Sequence, residues 1–212
     1  LLNFSSKLPD SLPILPVRDS LLLPGGQITQ KVFEPRYINM VQDCLAAQDR
    51  LIGVCIVDGN NKGSKDKFYN VGCAGKVTSF KEMVDGSFSF VLTGYCRFEL
   101  GDEIPTMRKY RRFSVECEKY ATDLRIDANT NINKPALIKL IRSYAEMCSI
   151  SMDWDVLPDT PAFNIVTFFS MNLPFDDAQR QMLLEALTVE DRAVVLADLI
   201  SNAATKSGEF GL

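Results

Sequence analysis

The 212-residue sequence contains no histidine. That one absence removes Ser-His and Cys-His nucleophile pairs, imidazole general bases and histidine metal ligands together. Bond-making chemistry would have to come from carboxylates, lysine or a metal held by oxygens, and no paired acids stand in a recognisable catalytic setting. The six cysteines, Cys44, Cys55, Cys73, Cys96, Cys117 and Cys148, occur singly without one Cys-x-x-Cys. Their spacing therefore writes neither a zinc site nor a dithiol redox motif, and most read as buried thiols behaving as small hydrophobes. A formal net charge of -4 supplies no field that would gather phosphates, so nucleic-acid binding would need a local patch.

Long apolar runs are missing too. The longest uncharged stretch, "TPAFNIVTFFSMNLPF" from Thr160 to Phe175, carries Pro161 and Pro174 and falls short of the ~20 residues that span a bilayer. The opening "LLNFSSKLPD" lacks the basic start and continuous apolar stretch of a secretory signal, which leads to the expectation of a cytoplasmic protein without a membrane segment. Phosphate-cradling loops are also absent: in "GNNKGSK" and "GCAGKVT" the glycines stand too close together for a Walker loop. No cofactor is expected.

What is present is a core-forming composition, 46% hydrophobic, arranged in two regimes. Up to about residue 122 the periodicity is that of strands. "KLPDSLPILPVRDSLLLPGG", with Pro9, Pro13, Pro16 and Pro24, predicts short edge strands and turns. "QITQKVF" alternates as a strand, and Pro35 suits the first position of a helix whose apolar face is Tyr37, Met40, Val41, Cys44 and Leu45. "LIGVCIV" reads as a buried strand and "DGNNKGSKDKFYN" as a mobile polar loop. Asp85-Gly86 marks a hairpin turn between two further strands, and "RRFSVECEKYA" closes the set. Six or so strands and one early helix predict a small, mostly antiparallel barrel or sandwich.

From Asp123 onward, after the polar connector "TDLRIDANTNINK", the pattern is helical. Pro135 opens one helix and Thr160-Pro161 another, rich in Phe. Asp176 with Gln179 resembles a capping box, and Thr188 ahead of Glu190 and Asp191 starts the last helix with acidic residues at its positive end. The reading is an α+β protein, with a β lobe over residues 1–122 and a helical lobe over 123–212.

Three groups of residues invite a functional reading. Phe33, Glu34, Pro35, Arg36 and Tyr37 could pair a general acid with an electrostatic partner, but a lone carboxylate is a poor catalytic set. An architectural joint is the stronger reading: Glu34 at the helix N-terminus, Phe33 folded over the first turns, Arg36 on strand-end carbonyls. On that reading a buried Phe33 would cost about 3 to 5 kcal/mol on truncation to alanine. "MRKYRRF" interleaves Arg108, Lys109, Arg111 and Arg112 with Tyr110 and Phe113, a pattern that can track phosphates and stack bases, or equally a solvated turn. On an acidic protein its electrostatic footprint is small, so nucleic acid is not the expected partner. Met107, Met152, Phe68, Tyr69 and Tyr110 could furnish an adaptable contact surface for another protein.

Taken in order, "LPILPVRDSLLLPGG", "KVFEPRYINMVQDCL", "DRLIGVCIV", "VGCAGKVTSF", "LTGYCRFEL" and "LPFDDAQRQMLLEALTVEDRAVVLADL" resemble the N-terminal substrate-binding domain of Lon proteases over nearly the whole chain. The resemblance implies a β pseudo-barrel related to PUA-like folds followed by a helical bundle. It implies that residues 33 to 37 are the family's helix-opening box, and that the domain captures unfolded or tagged proteins and supports hexamer assembly. ATP hydrolysis and peptide cleavage belong to other domains of such proteases, and no Walker loop or Ser-Lys peptidase motif occurs in these 212 residues. The expectation is a free-standing, non-catalytic module that binds unfolded or extended apolar segments at the barrel rim or between the lobes. Rival readings are an adaptor docking on a protease or other complex through its helical lobe, an RNA binder using "MRKYRRF", and a small hydrolase with an unrecognised carboxylate site.

Overall fold

In the computed structural model residues 9–59, 66–124 and 130–209 are described, which leaves the centre of the polar loop and part of the connector outside the described residues. Six strands form one mixed sheet: β1 (Ser11–Val17), β2 (Gln27–Val32), β3 (Leu51–Ile56), β4 (Val71–Glu82), β5 (Phe88–Ile104) and β6 (Arg112–Glu116). Their order is β2-β5-β4-β3-β1-β6, and β5 also pairs with β6. That closure needs a long, bent strand. β5 pairs with β2 and β4 through its first part and with β6 through Glu99–Ile104, past an irregularity between Leu100 and Glu103. Only the β1–β3 pair is parallel. Helix α1 (Pro35–Ala46) lies between β2 and β3 in the chain. A 3-10 turn (Glu118–Leu124) then leads to α2 (Lys134–Met147), α3 (Ala162–Asn172), α4 (Asp177–Glu185) and α5 (Val189–Glu209). The α+β class is as expected.

Local chemistry explains most element boundaries. Pro35 occupies the first position of α1, whose buried residues are Met40, Val41 and Cys44. Gly86 takes a φ of +76°, the left-handed conformation the β4–β5 turn requires, and Asp85 accepts from the Ser87 N–H at 3.0 Å to fix it. The reciprocal capping box of Asp176 and Gln179 opens α4, and Thr188 and Asp191 exchange the same kind of bonds at the start of α5.

Two expectations are corrected. β1 is no edge strand but lies between β3 and β6. Its first three residues pair with β6 and its last four with β3, so Pro13 and Pro16 each stand in a half that has one registered partner strand. Phe33 is not buried under α1 but 75% exposed. Val32, the last residue of β2, points into the barrel, and strand alternation sends its neighbour outward. Among the described residues Arg36 reaches no strand-end carbonyl: its Nε donates to Glu34 Oε2 at 2.8 Å, and Glu34 makes no side-chain cap bond. Phe33→Ala should therefore change stability by no more than about 0.5 kcal/mol. Urea denaturation reads this directly, and a loss several times larger would restore the buried assignment.

The helices are tied to the barrel through one buried arginine. Arg97, on β5, donates from Nε and Nη2 to the Asp123 carboxylate at 2.9 and 2.8 Å. Its remaining N–H groups reach the carbonyls of Leu184, Ala186 and Leu187 at the end of α4 and just beyond. The Tyr120 ring lies under the guanidinium, its centre 4.4 Å from Cζ. Alongside, Arg192 of α5 donates to the Leu183 carbonyl at 2.8 Å, and burial together with the neighbouring Arg97 charge pushes it down to about 10. Gln181 adds a bond from Nε2 to the Val71 carbonyl.

Candidate functional site

Two cavities concern the residues singled out in the sequence. The first, about 590 Å³, opens on the barrel and gathers Tyr37, Phe68 and Tyr110 with Arg36, Lys109 and Arg111. Phe68 and Tyr110 are buried, and so do not protrude as the contact aromatics expected from a loop. Phe68 packs edge-on against Phe113 with ring centres 5.7 Å apart, and Tyr110 donates its hydroxyl to Asp43 at 3.0 Å. The basic run is largely occupied within the molecule. Arg108 pairs with Asp43, Arg111 forms a two-point pair with Glu103, and Arg112 bonds to Ser11. Arg111 also stacks on Phe68 and Phe113. A guanidinium already neutralised and stacked offers little to a phosphate backbone. Met107 is fully exposed and Tyr69 half-buried, and neither lines this cavity.

The second cavity is a groove of about 630 Å³ between the turn at Gly25 and Gly26 on the β side and α3 on the other. Met152, Val156, Leu157, Ile165, Phe168 and Met171 give it apolar walls, and no charged side chain lines it among the described residues. Phe168 and Val156 form its lip, 51% and 52% exposed. The glycines are what let the helix come close: Phe163 lies against Gly25, Met171 against Gly26, and a methyl at either position would meet those side chains. Behind the lip, Trp154 stacks parallel on Phe169 with centres 6.4 Å apart. The Thr167 side chain, also on the lining, buries a hydroxyl that has no hydrogen-bond partner among the described residues.

Of the residues picked from sequence, Met152 alone lies in this groove. Phe168, Val156, Met171 and the two glycines were missed. One signal was available: "AFNIVTFFSMN" is apolar around most of its circumference, more than one buried face needs. Phe33 through Tyr37 are not part of the groove; Arg36 and Tyr37 line the first cavity instead. Among the described residues no cluster of His, Cys, Asp or Glu is placed to hold a metal ion, and no helix is long and apolar enough to cross a membrane.

A β-barrel joined through a buried arginine to a four-helix lobe is an arrangement that can be compared with known proteins. The family model of the ATP-dependent protease La (LON) substrate-binding domain matches residues 11–202. The chain belongs to the Lon substrate-binding domain family. Lon protease of Flavobacterium johnsoniae is 27% identical over 201 residues, covering 90% of this chain and 24% of that protein. Lon protease 2 of Myxococcus xanthus is 25% identical over 212 residues, with 92% and 24% covered. The chain thus spans about a quarter of the length of these curated relatives. Its Lon-type fold matches the N-terminal domain of the Mycobacterium avium complex Lon protease with a TM-score of 0.65 at 18% identity, covering 91% of this chain and 98% of that one. The Lon N-terminal domain protein of Xanthomonas campestris gives 0.60 at 22% identity, covering 88% and 96%.

Proposed function

We propose that this protein is a non-catalytic module that holds extended, uncharged apolar segments of other proteins in the groove between Gly25-Gly26 and α3. The observation that carries the reading is the groove's lining: methionine, phenylalanine and aliphatic walls without a charge. Burying one large apolar side chain there is worth about 1.5 to 3 kcal/mol, so two or three per segment give about 3 to 9 kcal/mol before ordering costs, and main-chain and rim contacts must supply the rest of a micromolar affinity. Flexible thioethers and aromatic faces accept side chains of different shape, which suits a binder of varied sequences. A charged residue would lose its hydration with nothing to replace it. Membership of a substrate-binding family supports the same direction.

A fluorescence titration with a reduced, carboxymethylated polypeptide tests this. Binding at tens of micromolar or tighter is expected, weakened at least about tenfold (~1.4 kcal/mol) by Phe168→Asp. No binding, or binding indifferent to that substitution, would contradict the reading. Docking on a larger complex is the second reading, and rests on an apolar groove of about 300 Å³ between α2 and α5 beside the exposed Val194.

A further inference from the structure

Strand β2 ends the strand order and pairs with β5 alone. In an antiparallel pair, alternate residues spend both main-chain groups on the same neighbour, so one known bond fixes the rest. The Gly94 N–H donates to the Gly26 carbonyl at 2.8 Å. Counting by twos from there, Ile28, Gln30 and Val32 are bonded to Leu92, Phe90 and Phe88. A second count starts on the other side of β5, where the Met83 N–H donates to the Ser87 carbonyl at 2.8 Å. It spends Ser89 and Val91 on β4 and leaves the same Phe88, Phe90 and Leu92 for β2. The two counts agree. Gln27, Thr29 and Lys31, all exposed, turn their N–H and C=O groups to the outer edge, where among the described residues nothing bonds to them.

Soluble proteins usually blunt such an edge with proline, a bulge or a charge held over it. Here there is no proline, the register with β5 is unbroken over six residues, and the one charged side chain, Lys31, is drawn to Asp85 of the β4–β5 turn at 3.2 Å. A regular open edge is complementary to one thing, another extended chain, which brings the same donors and acceptors at the same spacing whatever its side chains are. Apolar contacts stand at both ends of this edge. At the start of β2, Gln27 lines the uncharged groove together with Gly25 and Gly26. Just past its end is the exposed Phe33.

We propose that a segment held in the groove continues along β2 as an added β-strand, bonded to the main chain of Gln27, Thr29 and Lys31. The inference rests on the groove reading and names what the groove takes: an extended segment with an apolar anchor, followed by about 20 Å of free main chain, the length of a six-residue strand. The anchor gives selectivity. The edge gives main-chain bonds independent of sequence, which supply affinity that the buried side chains leave wanting. A folded helix, whose main-chain groups are already spent, is refused.

The test uses the intact protein and a capped peptide of valine, phenylalanine and serine. Amide exchange followed by nuclear magnetic resonance should show Thr29 and Lys31 exchanging fast in the free protein and slowing at least about tenfold at saturation, while Ile28 and Gln30 are slow throughout. Methyl groups placed one at a time on successive peptide nitrogens should weaken binding about tenfold at every second position, because only alternate N–H groups face β2. Thr29 and Lys31 amides already slow in the protein alone would mean that its own chain or a second copy covers the edge, and would overturn the proposal. Binding that Phe168→Asp still weakens, but that responds to the methyl scan without alternation, would overturn the added strand and leave the groove standing. Absence of binding, or binding indifferent to Phe168→Asp, would overturn both.

Discussion

Replacing Arg97 by alanine is expected to lower stability by about 3 to 5 kcal/mol, the largest single loss available at the joint between barrel and helices. Its side chain is 2% exposed and that of Asp123 8%. A guanidinium has five N–H donors, and here Nε, Nη1 and Nη2 are engaged by Asp123 and by the carbonyls of Leu184, Ala186 and Leu187. Truncation leaves a desolvated carboxylate facing a cavity and strips three main-chain acceptors of their donor. Lysine is no substitute, because a compact ammonium cannot span the fork. Removing Asp123 as well should recover part of the loss, since the main penalty of the single change is the charge left behind. Denaturant unfolding of Arg97→Ala that showed a loss under about 1 kcal/mol would mean the pair is solvated and the joint lies elsewhere.

The second large effect is expected at Gly94, where a substitution reaches the groove through the main chain. A Cβ at this position would collide with the Leu23 carbonyl oxygen, stand 2.6 Å from its carbon and 3.1 Å from the Pro24 nitrogen. These are backbone atoms with no rotamer to change. The Gly94 N–H donates to the Gly26 carbonyl at 2.8 Å and its own carbonyl accepts from Gly25 at 3.0 Å, so relief of the clash must displace the Gly25-Gly26 turn. Gly94→Ala should cost about 3 kcal/mol or more, at the upper end for overpacking. It should also weaken binding of apolar segments, because that turn is one wall of the groove. Near-wild-type unfolding with unchanged binding would show that the turn moves freely and does not shape the site.

How much of this was legible in the chain follows from the range of each interaction. Helix α1, the Asp85-Gly86 hairpin and the capping boxes are local, set by residues within four positions of one another. Phe33 went the other way because two local rules competed. An aromatic before a helix reads as a lid over its first turn, but strand parity from the buried Val32 decides which way the next side chain points. The role of Arg97 is not legible in "LTGYCRFEL" itself. Its partners lie 26 residues away at Asp123 and 87 to 90 residues away after α4. "MRKYRRF" looked basic in isolation, and only folding brings Asp43 and Glu103 to it. The groove was half visible: α3 is apolar on more than one face, and nothing local says which face its neighbours leave open.

The claim on which the rest depends is that the uncharged groove beside α3 is where another protein's chain is held. The most direct measurement is a nuclear magnetic resonance titration of the isotope-labelled protein with a short, uncharged apolar peptide, following each backbone amide. The account predicts that the signals moved first and furthest are those of Gly25, Gly26, Val156 and residues 164–172, with little change around Tyr37 and Tyr110. Shifts centred on Tyr37, Phe68 and Tyr110, or spread evenly along the chain without saturation, would contradict it.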